Sequence, residues 1–241
     1  MIIGHRGARD LWPENSLGGF RKLLDLPIEG VEFDVHLSDA GELLVIHDPT
    51  LERTTDGTGP VRALTPSERA EVRLAGSAGE AIPTLDEVLA LYAASDIELH
   101  VELKRDVEAR IYPGMAAAVI ERIAAHGVAA RTILTSFDVA ELETVRTLAP
   151  QLRTLLSLNH RSAEPLGPEA ALERAGAAAD IVAIQLAYLE EHWELATRLL
   201  PLDRLGAWVP NTEAELQQWL HHGHRQITTD RPDLALKVRQ R

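Results

Sequence analysis

The chain contains no cysteine among its 241 residues. Thiol nucleophiles, thiolate metal sites and disulfides are thereby excluded, while the compartment stays open. Aromatic residues are only 4%, and no apolar segment stands out as the entrance an acyl chain would need. Basic residues are also scarce, 24 against 37 acidic ones, for a net charge of −13. No basic run longer than two residues precedes the C-terminal tail. That argues against nucleic acid as a partner. The acidic surface would also repel anionic lipid headgroups, so stable membrane association is not expected. No hydrophobic run is long enough to span a bilayer. Met1-Ile2-Ile3-Gly4 runs straight into the first motif, leaving no room for a signal peptide. A cytoplasmic location is the expectation. The sequence is silent on oligomeric state.

What is present is a regular alternation. Hydrophobic content is 45%, enough for one large core. Strand-type runs fall at 1–4, 30–35, 97–104, 132–136, 153–158, 181–185, 204–208 and 226–229. Helical runs fall between them, at 17–24, 85–94, 112–126, 139–148, 169–178, 190–199, 213–222 and 232–238. Thr84 with Glu87 has capping-box spacing, and Asp138 and Thr212 are further N-cap candidates. Eight strand–helix units predict an α/β fold of the TIM type, a (β/α)8 barrel formed by residues 1–241 as a single domain. An open doubly wound sheet is the competitor. Two segments interrupt the pattern. Residues 37–46 read as a hairpin, and 49–82 as an insertion on the barrel rim with one short helix at 66–74.

Strand side chains repeat every second residue. Glu32-Phe33-Asp34 and Glu102-Leu103-Lys104 therefore each put two charged groups on one face. Barrel sites lie where strands end, and His5, Asp34 and Lys104 occupy such ends. Glu32, Asp34 and Glu102 would give three oxygen ligands, a set suited to one Mg²⁺ or Ca²⁺ ion. An ion-pair network with Arg6 and Lys104 is the alternative. Clustered carboxylates repel unless a cation holds them, which favours the metal. His5 and His47 each follow an apolar run and precede a charged residue. They are the candidate general acid and base. Arg6 and Lys104 would hold phosphate oxygens. Trp208, at a strand end, would form an apolar wall for the organic part of a small-molecule substrate. His100 shares the inward face and reads as support. His36 has the right parity, but the hairpin should turn it away. Glu14 and Asn15 would brace the first loop or cap the next helix. Asp230 reads as a cap for the last helix rather than a partner for a site group. His221, His222 and His224 resemble a metal cluster, but their place at a helix end favours a role as helix-dipole partners.

These residues resemble the motifs of glycerophosphodiester phosphodiesterases. His5-Arg6-Gly7, Pro13-Glu14-Asn15-Ser16, Glu32-Phe33-Asp34-Val35 and His47-Asp48 occur in that family's order. So do Leu51-Glu52-Arg53-Thr54-Thr55, Ile82-Pro83-Thr84-Leu85, Glu102-Leu103-Lys104, Ser136-Phe137, Trp208-Val209-Pro210-Asn211 and Thr229-Asp230-Arg231-Pro232. The resemblance spans nearly the whole chain. It implies a TIM-type barrel with a small insertion after the His47 strand. It also implies divalent-cation-dependent hydrolysis of glycerophosphodiesters to sn-glycerol 3-phosphate and an alcohol. Carried over by motif, Glu32, Asp34 and Glu102 match metal ligands, His5 and His47 the acid/base pair, and Arg6 and Lys104 phosphate binders. Ser38, Ala40, His100 and Pro210 depart from the usual pattern without removing a catalytic group, and His100 and Pro210 bear on substrate preference. Lysophospholipase D-like or sphingomyelinase D-like activity on the same barrel is an alternative reading. A non-catalytic glycerophosphate-binding barrel is another.

Overall fold

The computed structural model describes residues 1–240. Nine strands run in chain order: β1 Ile2–His5, β2 Gly30–Leu37, β3 Leu43–Val45, β4 Glu98–Leu103, β5 Thr132–Ser136, β6 Arg153–Leu158, β7 Ile181–Gln185, β8 Leu205–Trp208 and β9 Gln226–Thr229. Eight of them are parallel, and β1 pairs with both β9 and β2. With both edges of β1 paired, the sheet is closed into a TIM barrel, which rules out the open doubly wound alternative. β3 lies antiparallel on the end of β2, with Val35 opposite Val45, as the hairpin at 37–46 requires.

The helices begin where their caps predict. Thr84 and Thr212 each form a capping box, with Glu87 and Glu215, and the Asp138 side chain accepts from the Ala140 amide. Three helices differ from the sequence reading by more than two residues. The helix expected over 112–126 starts only at Met115, because Gly114 sits at φ 81° and no helix can pass through it. The run 190–199 is split: Leu186–Glu191 and Trp193–Leu199 meet at His192, whose ψ of 21° breaks the helical path. The insertion helix is shorter than 66–74, covering Pro66–Glu71.

Two apolar layers and one mixed interior follow from strand parity. Val31, Phe33 and Val35 of β2 and Leu99, Val101 and Leu103 of β4 point outward into the main core beneath the helices. Phe20 meets Phe33 edge-on at 5.7 Å there. The insertion has its own small cluster, with Leu51, Val61, Leu64 and Leu74 packed on Leu44, Ile46 and Ile82. Inside the barrel the two halves differ. Ile133, Leu155, Ile181, Ala183 and Trp208, from β5 to β8, form an apolar wall. The facing half, from β1, β2 and β4, carries His5, Glu32, Asp34, Glu98, His100 and Glu102. The cavity between them therefore has a charged side and an apolar side.

Candidate active site

The loop after β1 starts the site. Arg6, Gly7 and Ala8 take consecutive positive φ values of 49°, 76° and 70°, and Asn15 adds 54°. For the three non-glycine residues this costs roughly 1 kcal/mol or more each. The contacts made in return are specific. The Arg6 amide donates to Glu32 Oε2 at 3.1 Å, the Asn15 amide to the Arg6 carbonyl at 2.9 Å, and Asn15 Nδ2 to Asp34 Oδ2 at 2.9 Å. Ser16, not Asn15, caps the following helix. Asn15 thus braces the loop and a carboxylate. Glu14 does the same through Arg6 Nη1, at 3.4 Å.

Glu32, Asp34 and Glu102 each present an oxygen, all within 4.8 Å of one another and all buried. Asp34 and Glu102 are opposite in the β2–β4 ladder, which is why residues so distant in sequence meet. Lys104 Nζ lies 2.7 Å from Glu102 Oε1 and 3.4 Å from Asp34 Oδ1; Arg6 Nε lies 3.4 Å from Asp34 Oδ2. The ion-pair network is present alongside the carboxylate cluster. It does not satisfy the cluster. Glu32 Oε1 is buried without a hydrogen-bond partner. Burial, with Asp34 and Glu102 adding repulsion, pushes the Glu32 carboxyl well above the usual range. Burial would push Asp34 up too, but Lys104, His47 and Arg6 hold it below the usual range. Three carboxylates against two cations leave one net negative charge. A divalent ion would make the sum positive, as an anionic phosphodiester requires. The donor set fits such an ion: all oxygen, dense, and one oxygen unpaired.

Both histidines reach the same cavity, with Arg6, Glu32, Glu102 and Lys104 on its wall. Each is pinned through Nδ1 by an aspartate. His5 Nδ1 lies 2.5 Å from Asp230 Oδ1, and His47 Nδ1 lies 2.6 Å from Asp48 Oδ1. Both aspartates stay ionised, with pKa values down at about 2: despite burial, His5 and Arg9 hold Asp230 there, and Arg53 and His47 hold Asp48. A carboxylate only accepts, so Nδ1 donates in either charge state, and Nε2 faces the cavity as the atom that takes a proton when the ring is neutral or gives one when it is charged. His5 Nε2 stands 3.8 Å from Glu32 Oε2. Burial, with Lys104 and Arg6 nearby, lowers the His47 pKa, while Asp34 and Asp48 partly offset it.

Several sequence expectations need correction. Asp230 does not cap the last helix, whose N-cap is Arg231. It binds His5, Arg9 Nε at 2.9 Å and Asn211 Nδ2 at 2.7 Å. His36 is not turned away. It is fully buried beneath His47, with Nε2 3.1 Å from the His47 carbonyl oxygen and Nδ1 2.9 Å from the Tyr112 hydroxyl. His224 is not a dipole partner. Both its ring nitrogens are buried without partners, and it packs on Trp193 and Trp219. His100 bonds Glu98 at 2.8 Å and lines the cavity. Trp208 stands on the apolar side, its Nε1 bonding the Ala183 carbonyl oxygen at 3.0 Å and its ring edge-on to Phe137 at 5.6 Å.

Two contributors escaped the sequence reading. Arg53, from the insertion, grips Glu14 with both terminal nitrogens, at 2.9 and 2.7 Å, and Asp48 with Nε at 2.5 Å. Phe137 forms the cavity rim opposite the charged wall. Each stands inside a motif quoted above, but no local pattern gives either a role.

A family model described as "Glycerophosphoryl diester phosphodiesterase family" matches residues 5–234. The chain belongs to that family. The enzyme is 29% identical to the glycerophosphodiester phosphodiesterase of Caldanaerobacter subterraneus, over 99% of this chain and 97% of that protein. It superposes with a TM-score of 0.91, at 29% identity, on the crystal structure of a candidate glycerophosphoryl diester phosphodiesterase from Agrobacterium tumefaciens, covering 99% of this chain and 96% of that one. An Oleispira antarctica phosphodiesterase, solved in complex with the product sn-glycerol-3-phosphate, shares the fold (TM-score 0.84, 23% identity, 100% and 97% coverage). No helix among the described residues is long and apolar enough to cross a membrane.

Proposed function

We propose that this enzyme hydrolyses glycerophosphodiesters to sn-glycerol 3-phosphate and an alcohol, with His5 and His47 exchanging acid and base roles. One observation carries the reading. Two aspartate-pinned imidazoles share a cavity with Glu32 and Glu102, whose oxygens cluster with one of Asp34 just behind the wall. A single acid/base step needs one such imidazole; a displacement that activates one oxygen and protonates another needs two.

Glu32, Asp34 and Glu102 would hold one divalent cation, Mg²⁺ or Ca²⁺. When bound, it supplies positive charge to the phosphate oxygens and acidifies a nearby hydroxyl. The chain's own residues do the rest. Arg6 and Lys104 neutralise charge gathering on the phosphoryl group. One imidazole Nε2 takes the proton from the glycerol hydroxyl beside the ester. That oxygen attacks phosphorus, and the other imidazole gives its proton to the departing alcohol. A cyclic phosphate results. Water opens it with the two histidines reversed, returning both to their starting states. The apolar wall of Trp208, Phe137 and Leu155 receives the alcohol's organic part.

The test is release of glycerol 3-phosphate from glycerophosphocholine by chelator-stripped protein, with Mg²⁺ or Ca²⁺ restored. Turnover should require added metal and disappear in Glu32→Gln. Faster turnover of lysophosphatidylcholine would redirect the assignment to a lipid substrate. Metal-dependent binding without turnover would redirect it to a binding barrel. An analogue lacking the hydroxyl beside the ester should not turn over; normal turnover would replace the cyclic route with direct attack by water.

A further inference from the structure

Four buried polar atoms without a hydrogen-bond partner belong to residues that line the cavity: Arg6 Nε, Glu32 Oε1, Thr135 Oγ1 and Gln226 Nε2. The phosphate and the cation account for the first two. The other two are unused by the reaction above. Thr135 is only 3% exposed and Gln226 1%. Buried polar groups in folded proteins nearly always find a partner, so an orphan on a cavity wall points to a ligand atom.

Thr135 has an informative position. On β5 it is opposite Glu102 of β4 on one side and Leu155 of β6 on the other. It therefore stands on the seam where the charged wall meets the apolar wall. Its hydroxyl can donate and accept but carries no charge. It can pair with a neutral hydroxyl, whereas the phosphate and a cation already have Arg6, Lys104 and the three carboxylates as charged partners. Gln226, whose Oε1 is taken by Arg225 Nη1, leaves a second neutral donor on the same cavity.

We infer that Thr135 binds the terminal hydroxyl of the substrate's glycerol, the one that does not attack phosphorus. This rests on the function proposed above. The hydroxyl beside the ester would be engaged by an imidazole, close to the carboxylates that would hold the cation. The terminal hydroxyl is the remaining polar group of the glycerol, and Thr135 offers it a neutral partner. Thr135 is thus a specificity residue, selecting glycerol over a substrate lacking that group.

The experiment pairs a substrate change with a protein change. Glycerophosphocholine is compared with an analogue whose terminal hydroxyl is replaced by hydrogen, the hydroxyl beside the ester being kept. The unsubstituted enzyme should prefer glycerophosphocholine by about tenfold in kcat/KM. Thr135→Val should lose about tenfold on glycerophosphocholine and show no preference, because removing the second partner adds nothing once the first is gone. Thr135→Ser, which keeps the hydroxyl, should keep the preference. A preference that survives intact in Thr135→Val would overturn the inference. So would an unsubstituted enzyme that turns over both compounds equally, with the proposed function left standing. Turnover of neither compound would overturn both.

Discussion

His5 and Asp230 lie 225 residues apart, yet their side chains meet at 2.5 Å. The contact spans the seam where β1 pairs with β9 and closes the barrel. Ring closure and imidazole orientation are therefore one structural event. Asp230→Asn should keep the shape of the contact but lose the charge that fixes the tautomer and stabilises the imidazolium. We expect kcat to fall by about 10² to 10³, with KM changed little. Steady-state kinetics on glycerophosphocholine check this. A kcat within a few-fold of the parent would show that Asp230 is structural only.

The sequence made some of this visible and hid the rest for a physical reason. Strand parity is local, so Glu32 with Asp34, and Glu102 with Lys104, announce a charged inner face within three residues. The eight-fold alternation announces the barrel, which places His5, while the β2–β3 hairpin carries His47. The pairing of Asp230 with His5 depends on which strand returns beside the first. Locally, Thr229-Asp230-Arg231-Pro232 before a helix looks like a cap. His224 misled in the same way. Its place after a helix suggested a charged partner for the dipole, whereas two tryptophans from different helices bury it.

The carboxylate cluster should make the metal-free protein pH-sensitive. Glu32 has a folded pKa raised by burial and by its two acidic neighbours. Such an acid contributes stability that is present below its unfolded pKa and lost as pH rises through the folded value. Glu32→Gln removes the penalty. In chelated samples its melting temperature should exceed the parent's, by more at about pH 8 than at about pH 5. The same substitution should abolish stabilisation by added Mg²⁺ or Ca²⁺, which for the parent reaches about 2.7 kcal/mol at a hundredfold excess over Kd. Melts that respond equally to metal in both proteins would remove Glu32 from the ligand set.

His224 should weaken the protein in acid. Burial, with His222 and the N-terminal amine nearby, depresses its pKa to about 4. An unfolded histidine titrates near 6.5, so between those values the unfolded chain holds more protons. Stability is then complete above about pH 6.5 and falls as pH drops toward 4. His36, lowered to about 4 chiefly by burial, acts in the same direction. His224→Phe fits an aromatic pocket and has no proton to bind. Urea unfolding at about pH 7 and about pH 5 should show a smaller loss for the variant, by about 1–2 kcal/mol. Equal losses would mean that His224 gains water or a partner on protonation.

Arg53 is the link between the insertion and the chemistry. It holds Asp48, which orients His47, and Glu14, which meets Arg6. One guanidinium thus ties together the supports of a proposed base and a proposed phosphate binder, from a segment whose small apolar cluster is separate from the main core. The side chain is 47% exposed, so its ion pairs contribute little to global stability. Its effect should be on geometry. Arg53→Ala should lower kcat by about tenfold or more, since Asp48 loses its partner and His47 its fixed tautomer, while the melting temperature changes little. Arg53→Lys restores the charge but not the fork that spans two carboxylates, and should recover only part of the rate. Full recovery with lysine would mean that charge alone matters. A large drop in melting temperature with unchanged kcat would mean that the insertion serves stability, and that His47 holds its orientation without it.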